Sequence, residues 1–199
     1  PRYAQEFELT RHGFRRRSTW LRVDPTGGAG EKVPAAHGAA GSGSPGSPDW
    51  FRAGTELRPL PFSGGATVVG ELTFAGYGIV APEVGRDDYE DVEVEGRIAL
   101  VLRGEPETDD PASPFYGPEF TRHAYFAQKA ELAFREGATG LVVVNVPGRR
   151  GRSAEFALSP SFTLDSEVPP LPPELSPDTP EEFPAVLVDS RLLTLLAEG

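Results

Sequence analysis

The residues of this sequence that could do chemistry are its three histidines and its runs of aspartate and glutamate. A serine hydrolase needs a histidine base backed by a carboxylate, and a zinc site needs histidine nitrogens at ligand spacing. His12 lies in an arginine-rich segment, His37 in a stretch of small residues, and His123 at the start of a predicted helix. The sequence contains no HExxH, H-x-D or G-x-S-x-G motif. We therefore interpret each histidine as structural and predict no catalytic and no metal-binding residue in this chain.

Two acidic runs could supply carboxylate oxygens to a cation. The first consists of Asp87, Asp88, Glu90 and Asp91, and the second of Glu105, Glu107, Asp109 and Asp110. Neither has the alternating spacing and turn glycine of a helix-loop-helix calcium site. We expect one aspartate of each run to cap a turn and the other carboxylates to be solvated. A hydrolase that uses His123 with Asp87 or Asp88 remains an alternative to a non-catalytic chain.

A glycine pattern at Gly76, Gly78 and Ala81 matches the spacing of the dinucleotide-binding fingerprint. That fingerprint requires a helix to begin inside it, so that backbone N–H groups meet the pyrophosphate. Pro82 follows directly and a predicted loop comes next. The missing helix leads us to reject nucleotide binding.

Composition narrows the possible partners. The formal net charge of -11 argues against nucleic-acid binding, which needs a basic face. No apolar run approaches the roughly 18 residues of a membrane-spanning helix, so no membrane span is predicted. The chain has no cysteine, hence no disulfide and no thiolate chemistry. Because it has no methionine and starts at Pro1, we expect a fragment of a longer protein.

Strands and one helix are expected to position the acidic runs and His123. Residues 68–80 read as a strand bent at Gly76 and Gly78, and residues 97–102 and 141–146 as buried strands. Further short strands are predicted at residues 3–9, 18–23 and 184–188, with a leucine-rich helix after the last.

The helix expected at residues 122–136 has Thr121 as its N-cap and stops at Gly137. Helical spacing predicts a buried face of Phe126, Ala130, Ala133, Phe134 and Gly137. The predicted solvated face contains Gln128, and also Glu131 and Arg135 at the spacing of an ion pair.

Four motifs in this order resemble the protease-associated (PA) domain inserted in zinc aminopeptidases of the glutamate-carboxypeptidase and transferrin-receptor class. They are GYG at residues 76–78, DDY at 87–89, VEGR at 94–97 and K-x-x-x-A-x-x-x-G-A at 129–138. The resemblance covers most of residues 62–197.

Two flanking segments extend the resemblance. PAVLV at residues 184–188 is similar to the closing strand of the family, and YAQEFEL at 3–9 to the peptidase strand before the insertion. The resemblance implies a β-rich α+β fold, an open β-barrel or sandwich-like sheets flanked by two or more helices. It implies an N-terminal strand segment at 1–23, at the edge of the missing peptidase domain. The Gly, Ala, Ser and Pro composition of residues 24–49 predicts a flexible linker, and the PA domain would follow at 50–199. This linker and the Pro-rich loop at 147–183 depart from the usual pattern of the family.

The function implied by the resemblance is that of a non-catalytic PA domain of a zinc-dependent aminopeptidase, which shapes substrate access or mediates protein or peptide interaction. The expected partners are a peptide or protein substrate and the peptidase domain of the parent chain. Zinc is expected only in the missing catalytic domain, so this fragment is assigned no cofactor. The resemblance also implies a secreted or periplasmic protein. An independent peptide- or protein-binding module, not attached to a peptidase, is the alternative.

Loops on a rigid scaffold commonly carry recognition, which directs attention to residues 104–122 and to the DDY turn. The candidate interaction surface consists of Asp87, Asp88, Tyr89, Arg122, His123 and Tyr125.

Overall fold

A computed structural model describes residues 2–6, 9–10, 13–14, 20–24, 50–52, 56–116, 120–145, 177–180 and 182–198. Apart from Asp24, the predicted linker at 24–49 lies outside the described residues, as does most of the predicted Pro-rich loop at 147–183.

The described elements are mainly strands. In chain order they are β1 (Arg2–Glu6), β2 (Leu9–Thr10), β3 (Gly13–Phe14), β4 (Trp20–Asp24), β5 (Trp50–Arg52), β6 (Leu57–Pro59), β7 (Thr67–Phe74), β8 (Val80–Ala81), β9 (Arg86–Asp87), β10 (Ile98–Leu102), α1 (Phe126–Arg135), β11 (Gly140–Asn145), β12 (Ala185–Asp189) and α2 (Arg191–Glu198). Two 3-10 helices cover Pro82–Val84 and Arg122–Ala124.

Eight strands form one mixed sheet in the order β5-β4-β1-β7-β10-β11-β12-β6. The pairs β7–β10, β10–β11 and β11–β12 are parallel, and the outer pairs are antiparallel. β7 changes partner along its length, since Thr67 to Glu71 pair with β1 and Leu72 to Phe74 pair with β10. Among the described strands the order ends at β5 and at β6, so the sheet is open.

Alternation along the parallel strands divides the apolar core between the two faces of the sheet. On one face the alternate residues of β10, β11 and β12 pack with Ala130 and Ala133 of α1. On the other face the intervening residues of the same strands pack with Leu192 of α2 and Phe51 of β5. A parallel strand covered on both faces must be apolar at every position, which explains the unbroken hydrophobic runs of β10 and β11.

Several sequence predictions are confirmed by this architecture. The predicted buried strands at 97–102 and 141–146 correspond to β10 and β11, while Val146 lies outside the described residues. The predicted strands at 18–23 and 184–188 correspond to β4 and β12. The fold class is confirmed as β-rich α+β with an open sheet and flanking helices. β1 lies in the same sheet as β7, and the proposed domain limits remain predictions.

Two predicted elements are wrong in detail. The strand expected at 68–80 ends at Phe74, because Gly76 and Gly78 adopt positive φ angles of 52° and 62° and turn the chain away. The chain then forms the small β8–β9 hairpin.

The helix expected at 122–136 is also interrupted. Thr121 does cap its start, accepting a hydrogen bond from the His123 amide, but the first turn is the 3-10 helix. Tyr125 is extended, with φ -69° and ψ 133°, so α1 begins only at Phe126. Phe134 was expected on the buried face, yet it is 38% exposed and makes only an edge contact with Phe183 among aromatic rings of the described residues.

Candidate functional site

The turns that follow β7 and β10 meet the start of α1 around the side chain of Lys129, which is 0% exposed. Its Nζ donates to the carbonyl oxygen of Tyr77, in the turn after β7, and to that of Gly104, after β10, at 3.0 Å. Lys129 therefore links α1 to both turns. We call this region, where the parallel strands end, the carboxyl edge.

The environment of Lys129 shifts its titration. Burial disfavours the charged ammonium and lowers the pKa of Lys129 to about 7. The carboxylates of Asp88 and Glu105 act in the opposite direction, whereas Arg86 adds to the lowering. The ring of Tyr77 also lies near the ammonium, with its centroid 5.9 Å from Nζ. Burial and Arg86 therefore favour the neutral amine of Lys129, whereas the two carboxylates favour its charged form.

Asp88 fixes the turn after β7. Its Oδ2 accepts hydrogen bonds from the amides of Tyr77, at 2.9 Å, and Ile79, at 3.1 Å. Arg86 holds Oδ1 at 2.7 Å. A Cβ at Gly76 would lie 3.1 Å from the Asp88 carboxyl carbon, so a small residue lets the backbone and carboxylate approach.

The neighbouring Asp87 accepts from the Tyr89 amide at 2.8 Å. Two aspartates of the first acidic run thus bind backbone amides, where one turn cap was expected. Glu90 and Asp91 are exposed, as predicted.

Glu105 shapes the second turn from a buried position. Both of its carboxylate oxygens lie 3.1 Å from the Thr121 amide, and Oε1 also contacts the Thr121 hydroxyl. The expectation that Glu105 is solvated was wrong, because its carboxylate is used to hold the segment that enters the helix. Within the same run Asp110 caps a turn as expected, accepting from the Ala112 amide at 2.9 Å.

His123 is buried beside this turn. Its Nε2 lies 3.1 Å from Glu83 Oε1, and its ring meets Phe115 edge-on at a centroid distance of 6.2 Å. Arg122 also reaches Glu83, at 3.3 Å. The pKa of Glu83 is lowered by a hydrogen bond from its own backbone and then by the contact with His123. Among the described residues the carboxylate that contacts His123 is therefore Glu83, and not Asp87 or Asp88 as the hydrolase alternative requires.

The six predicted surface residues fall into two classes. The side chains of Tyr89 and His123 are buried, and burial raises the pKa of Tyr89. Arg122, Tyr125 and Asp87 are exposed, while Asp88 is partly covered by the contacts described above. The structure brings Arg122 and His123 together through Glu83. Lys129 links α1 to the turn held by Asp88. The role of the six as an interaction surface stays a prediction.

Sequence reasoning missed the structural importance of Lys129, Glu105 and Glu83. The available signal was the position of Lys129 next to Ala130, inside the apolar stripe of α1, where a lysine needs acceptors. For Glu83 and Glu105 the sequence offers no comparable signal, because their partners are 40 and 16 residues away.

No group of three or more His, Asp or Glu residues in the described part of the chain is arranged to hold a metal ion. In the same residues, no helix combines the length and the apolar character needed to cross a membrane.

The fold and the site together define a class: a β-rich α+β domain whose loops at one sheet edge are organised by buried polar contacts. Within that class, a model of the PA domain family matches residues 66–194, which is more than half of the chain. This chain belongs to the PA domain family.

Among solved structures the chain is similar to an aminopeptidase from Aneurinibacillus sp. strain AM-1, with 21% identity and a TM-score of 0.37. The match covers 72% of this chain and 24% of the aminopeptidase, so the chain corresponds to about a quarter of that protein. A likeness of this degree assigns no activity to the present chain. A comparison with curated protein sequences finds no match.

Proposed function

We propose that this chain is the non-catalytic PA domain of a zinc-dependent aminopeptidase and that its carboxyl edge shapes the access of peptide substrates. The observation that carries the proposal is that, in this member of the PA domain family, some side chains at the carboxyl edge fix the loops and others on the same loops are exposed. Buried groups such as Lys129 and Glu105 fix the loops, while Arg122 and Tyr125 on those loops remain exposed.

Fixed loops suit a wall of a substrate cleft. A loop that is already ordered loses little conformational entropy when a peptide binds, so each contact contributes more to affinity. Here the turn after β7 is held by Asp88, and the segment entering α1 is held by Glu105, before any partner arrives.

The remaining parts of the proposal concern the parent protein. The catalytic zinc and its ligands would belong to a separate peptidase domain, which would be a partner of this domain together with the peptide substrate. We also propose a secreted or periplasmic location, which rests on the same family resemblance alone.

The test uses the parent enzyme with two uncharged substrates, an aminoacyl anilide and a six-residue peptide. Arg122→Ala with Tyr125→Ala should lower kcat/KM for the long peptide by about tenfold and leave the anilide unchanged, because only the long substrate reaches the domain. Thr194→Ala, an exposed position on α2, is the matched control. Equal losses on both substrates would contradict a role in access.

Catalysis by the chain alone is tested separately. The isolated 199 residues, with and without added zinc, should not turn over aminoacyl or peptide substrates. Turnover that His123→Ala abolishes would overturn the proposal in favour of a self-sufficient hydrolase.

An independent peptide-binding module is the second candidate, favoured by the exposed aromatic side chains near Arg122. The complete reading frame that encodes these 199 residues distinguishes the two. An H-x-D motif followed by paired acidic residues would support the peptidase, and an unrelated continuation would support the module.

A further inference from the structure

Three large aromatic side chains are exposed around the start of α1. Tyr116, Phe120 and Tyr125 are 53%, 40% and 59% exposed, and we call them the aromatic patch. Aromatic residues are enriched in binding surfaces, because each brings a large contact area with little side-chain entropy to lose. The proposed function uses Tyr125 alone, and leaves the other two without a role.

Contacts beneath the aromatic patch hold its backbone in place. The Phe120 ring lies 3.5 Å from the position that a Cβ on Gly104 would take, so it covers the turn after β10. Phe115, adjacent to Tyr116, packs edge-on against His123, two residues before Tyr125. These contacts attach Phe120 to the turn after β10 and the segment that contains Tyr116 to the start of the helix region that contains Tyr125.

The charge beside the aromatic patch is negative. Exposed carboxylates follow Glu105 along the same loop, and we call them the acidic loop: Glu107, Asp109 and Asp110. The exposed cation nearest to the patch in sequence, Arg122, already pairs with Glu83 at 3.3 Å. A cationic partner matches this field, whereas an anionic one is repelled.

We propose that the aromatic patch and the acidic loop together bind a cationic segment of an extended peptide. Lysine or arginine side chains would stack on the exposed rings, because the face of an aromatic ring attracts a cation. The acidic loop would supply the complementary charge. This inference rests on the proposed function, since it names the class of peptide that the carboxyl edge receives.

The test measures binding of two fluorescein-labelled peptides to the 199-residue chain by fluorescence anisotropy. They share one sequence except at three positions, which are arginine in one and glutamate in the other. The arginine peptide should bind at least about tenfold more tightly at low salt, and 0.3 M NaCl should remove most of the difference. Equal binding of the two peptides, or binding of neither, would overturn the inference.

Matched variants locate the site. Tyr116→Ala with Tyr125→Ala should weaken the arginine peptide about five- to tenfold, while Phe74→Ala, an exposed ring on β7, should leave it unchanged. Asp109→Asn with Asp110→Asn should weaken it about three- to tenfold, whereas the exposed acids in Glu90→Gln with Asp91→Asn should not. Equal losses in the control pairs would mean general charge attraction and would overturn the assignment.

Two further outcomes distinguish a failure of this inference from a failure of the proposed function on which it rests. Binding to anionic lipid vesicles in place of the arginine peptide would make the surface a membrane site and would overturn the inference. The access test on the parent enzyme uses uncharged substrates, so it can succeed while cationic peptides fail to bind. In that case the proposed function stands and the substrate class does not.

Discussion

The two faces of the central sheet are covered by helices that differ in their contacts: α2 is held mainly by apolar burial, and α1 by apolar burial together with hydrogen bonds of a buried lysine. Under α2 the buried cluster is apolar and includes Leu192 and Phe51, with one polar contact at the helix start, where Arg191 donates to the Trp50 carbonyl oxygen at 2.6 Å. Under α1 the apolar cluster adjoins a fully buried lysine, whose Nζ donates to two backbone carbonyls. Apolar burial has no direction, so it holds α2 on the sheet without fixing any loop. Hydrogen bonds are directional, and those of Lys129 fix where the turns at the carboxyl edge lie.

The difference indicates that stability depends mainly on the α2 face of this domain, and the proposed recognition on the loops beside the α1 face. The α2 face stabilises the folded state by removing apolar surface from water. This contribution does not depend on the direction of individual contacts. The α1 face includes charges whose burial is costly in itself and is offset only by well-placed partners. Those partners are the backbone groups of the loops that carry the proposed surface. Substitutions in the two regions should therefore change the free energy of unfolding in different ways.

The largest effect is expected on the α2 face. Leu192→Ala removes a fully buried side chain and should lower the free energy of unfolding by about 3–4 kcal/mol. Urea denaturation measures it, with Thr194→Ala on the exposed side of α2 as the control. A loss below about 1 kcal/mol would show that the α2 face contributes little, and would break the comparison.

The next effect tests how tightly the turn after β7 is held. A Cβ at Gly78, where φ is +62°, would lie 2.8 Å from Val101 Cγ1, so Gly78→Ala adds a steric clash to backbone strain. We expect a loss of about 2–3 kcal/mol. Gly85 has a similar φ of +68° with nothing within 4 Å, so Gly85→Ala should cost only about 1 kcal/mol. Similar losses in the two variants would mean that this turn has room to move.

The third prediction concerns pH. Burial lowers the pKa of Lys129 to about 7 in the folded chain, from 10.5. Between these values the unfolded chain binds more protons, so the free energy of unfolding rises with pH in this window. Below about pH 7 both states are protonated, and the full penalty of the buried charge is present.

Lys129→Met lacks this titration and is the reference. The stability of the wild type relative to Lys129→Met should increase by about 1–2 kcal/mol between pH 7 and pH 9, measured by urea denaturation at each pH. A difference that is constant with pH would show that Lys129 does not titrate in this range. It would then act through its hydrogen bonds alone.

The smallest effect is expected on the solvated side of α1. Glu131 and Arg135 form the ion pair that their spacing predicts. Glu131→Gln should lower the free energy of unfolding by about 0.3–0.5 kcal/mol, and 1 M NaCl should remove the difference. A loss above 1 kcal/mol would place an important polar contact outside the carboxyl edge, and would blur the distinction between the two regions.

Local pattern predicted the central strands and the position of the main helix. The apolar runs of β10 and β11 and the cap at Thr121 are properties of short segments, so the local sequence is enough to predict them. Phe134 shows the limit of such a pattern. Helical spacing places it on the apolar stripe, but the pattern does not say how far the covering sheet extends.

The polar contacts at the carboxyl edge could not be predicted from local pattern. Lys129 is buried because acceptors from residues 52 and 25 positions away in the sequence converge on it. Glu105 is buried for the same kind of reason, through Thr121. The spacing of residues along one segment carries no information about such meetings, and so the predicted surface contained Tyr89 and His123, which are in fact inside.

The pairing of β6 with β12 has a consequence for synthesis on the ribosome. In this pairing Pro59 lies opposite Val186 and Leu57 opposite Val188, so β6 pairs with the last of the described strands in chain order. Until β12 leaves the exit tunnel, β6 has no neighbour and β11 is exposed along one side. Unpaired strands of a nascent chain are sites of aggregation, and closing so long a loop slows folding. Production of this domain should therefore benefit from chaperones that shield β11 until β12 has left the exit tunnel.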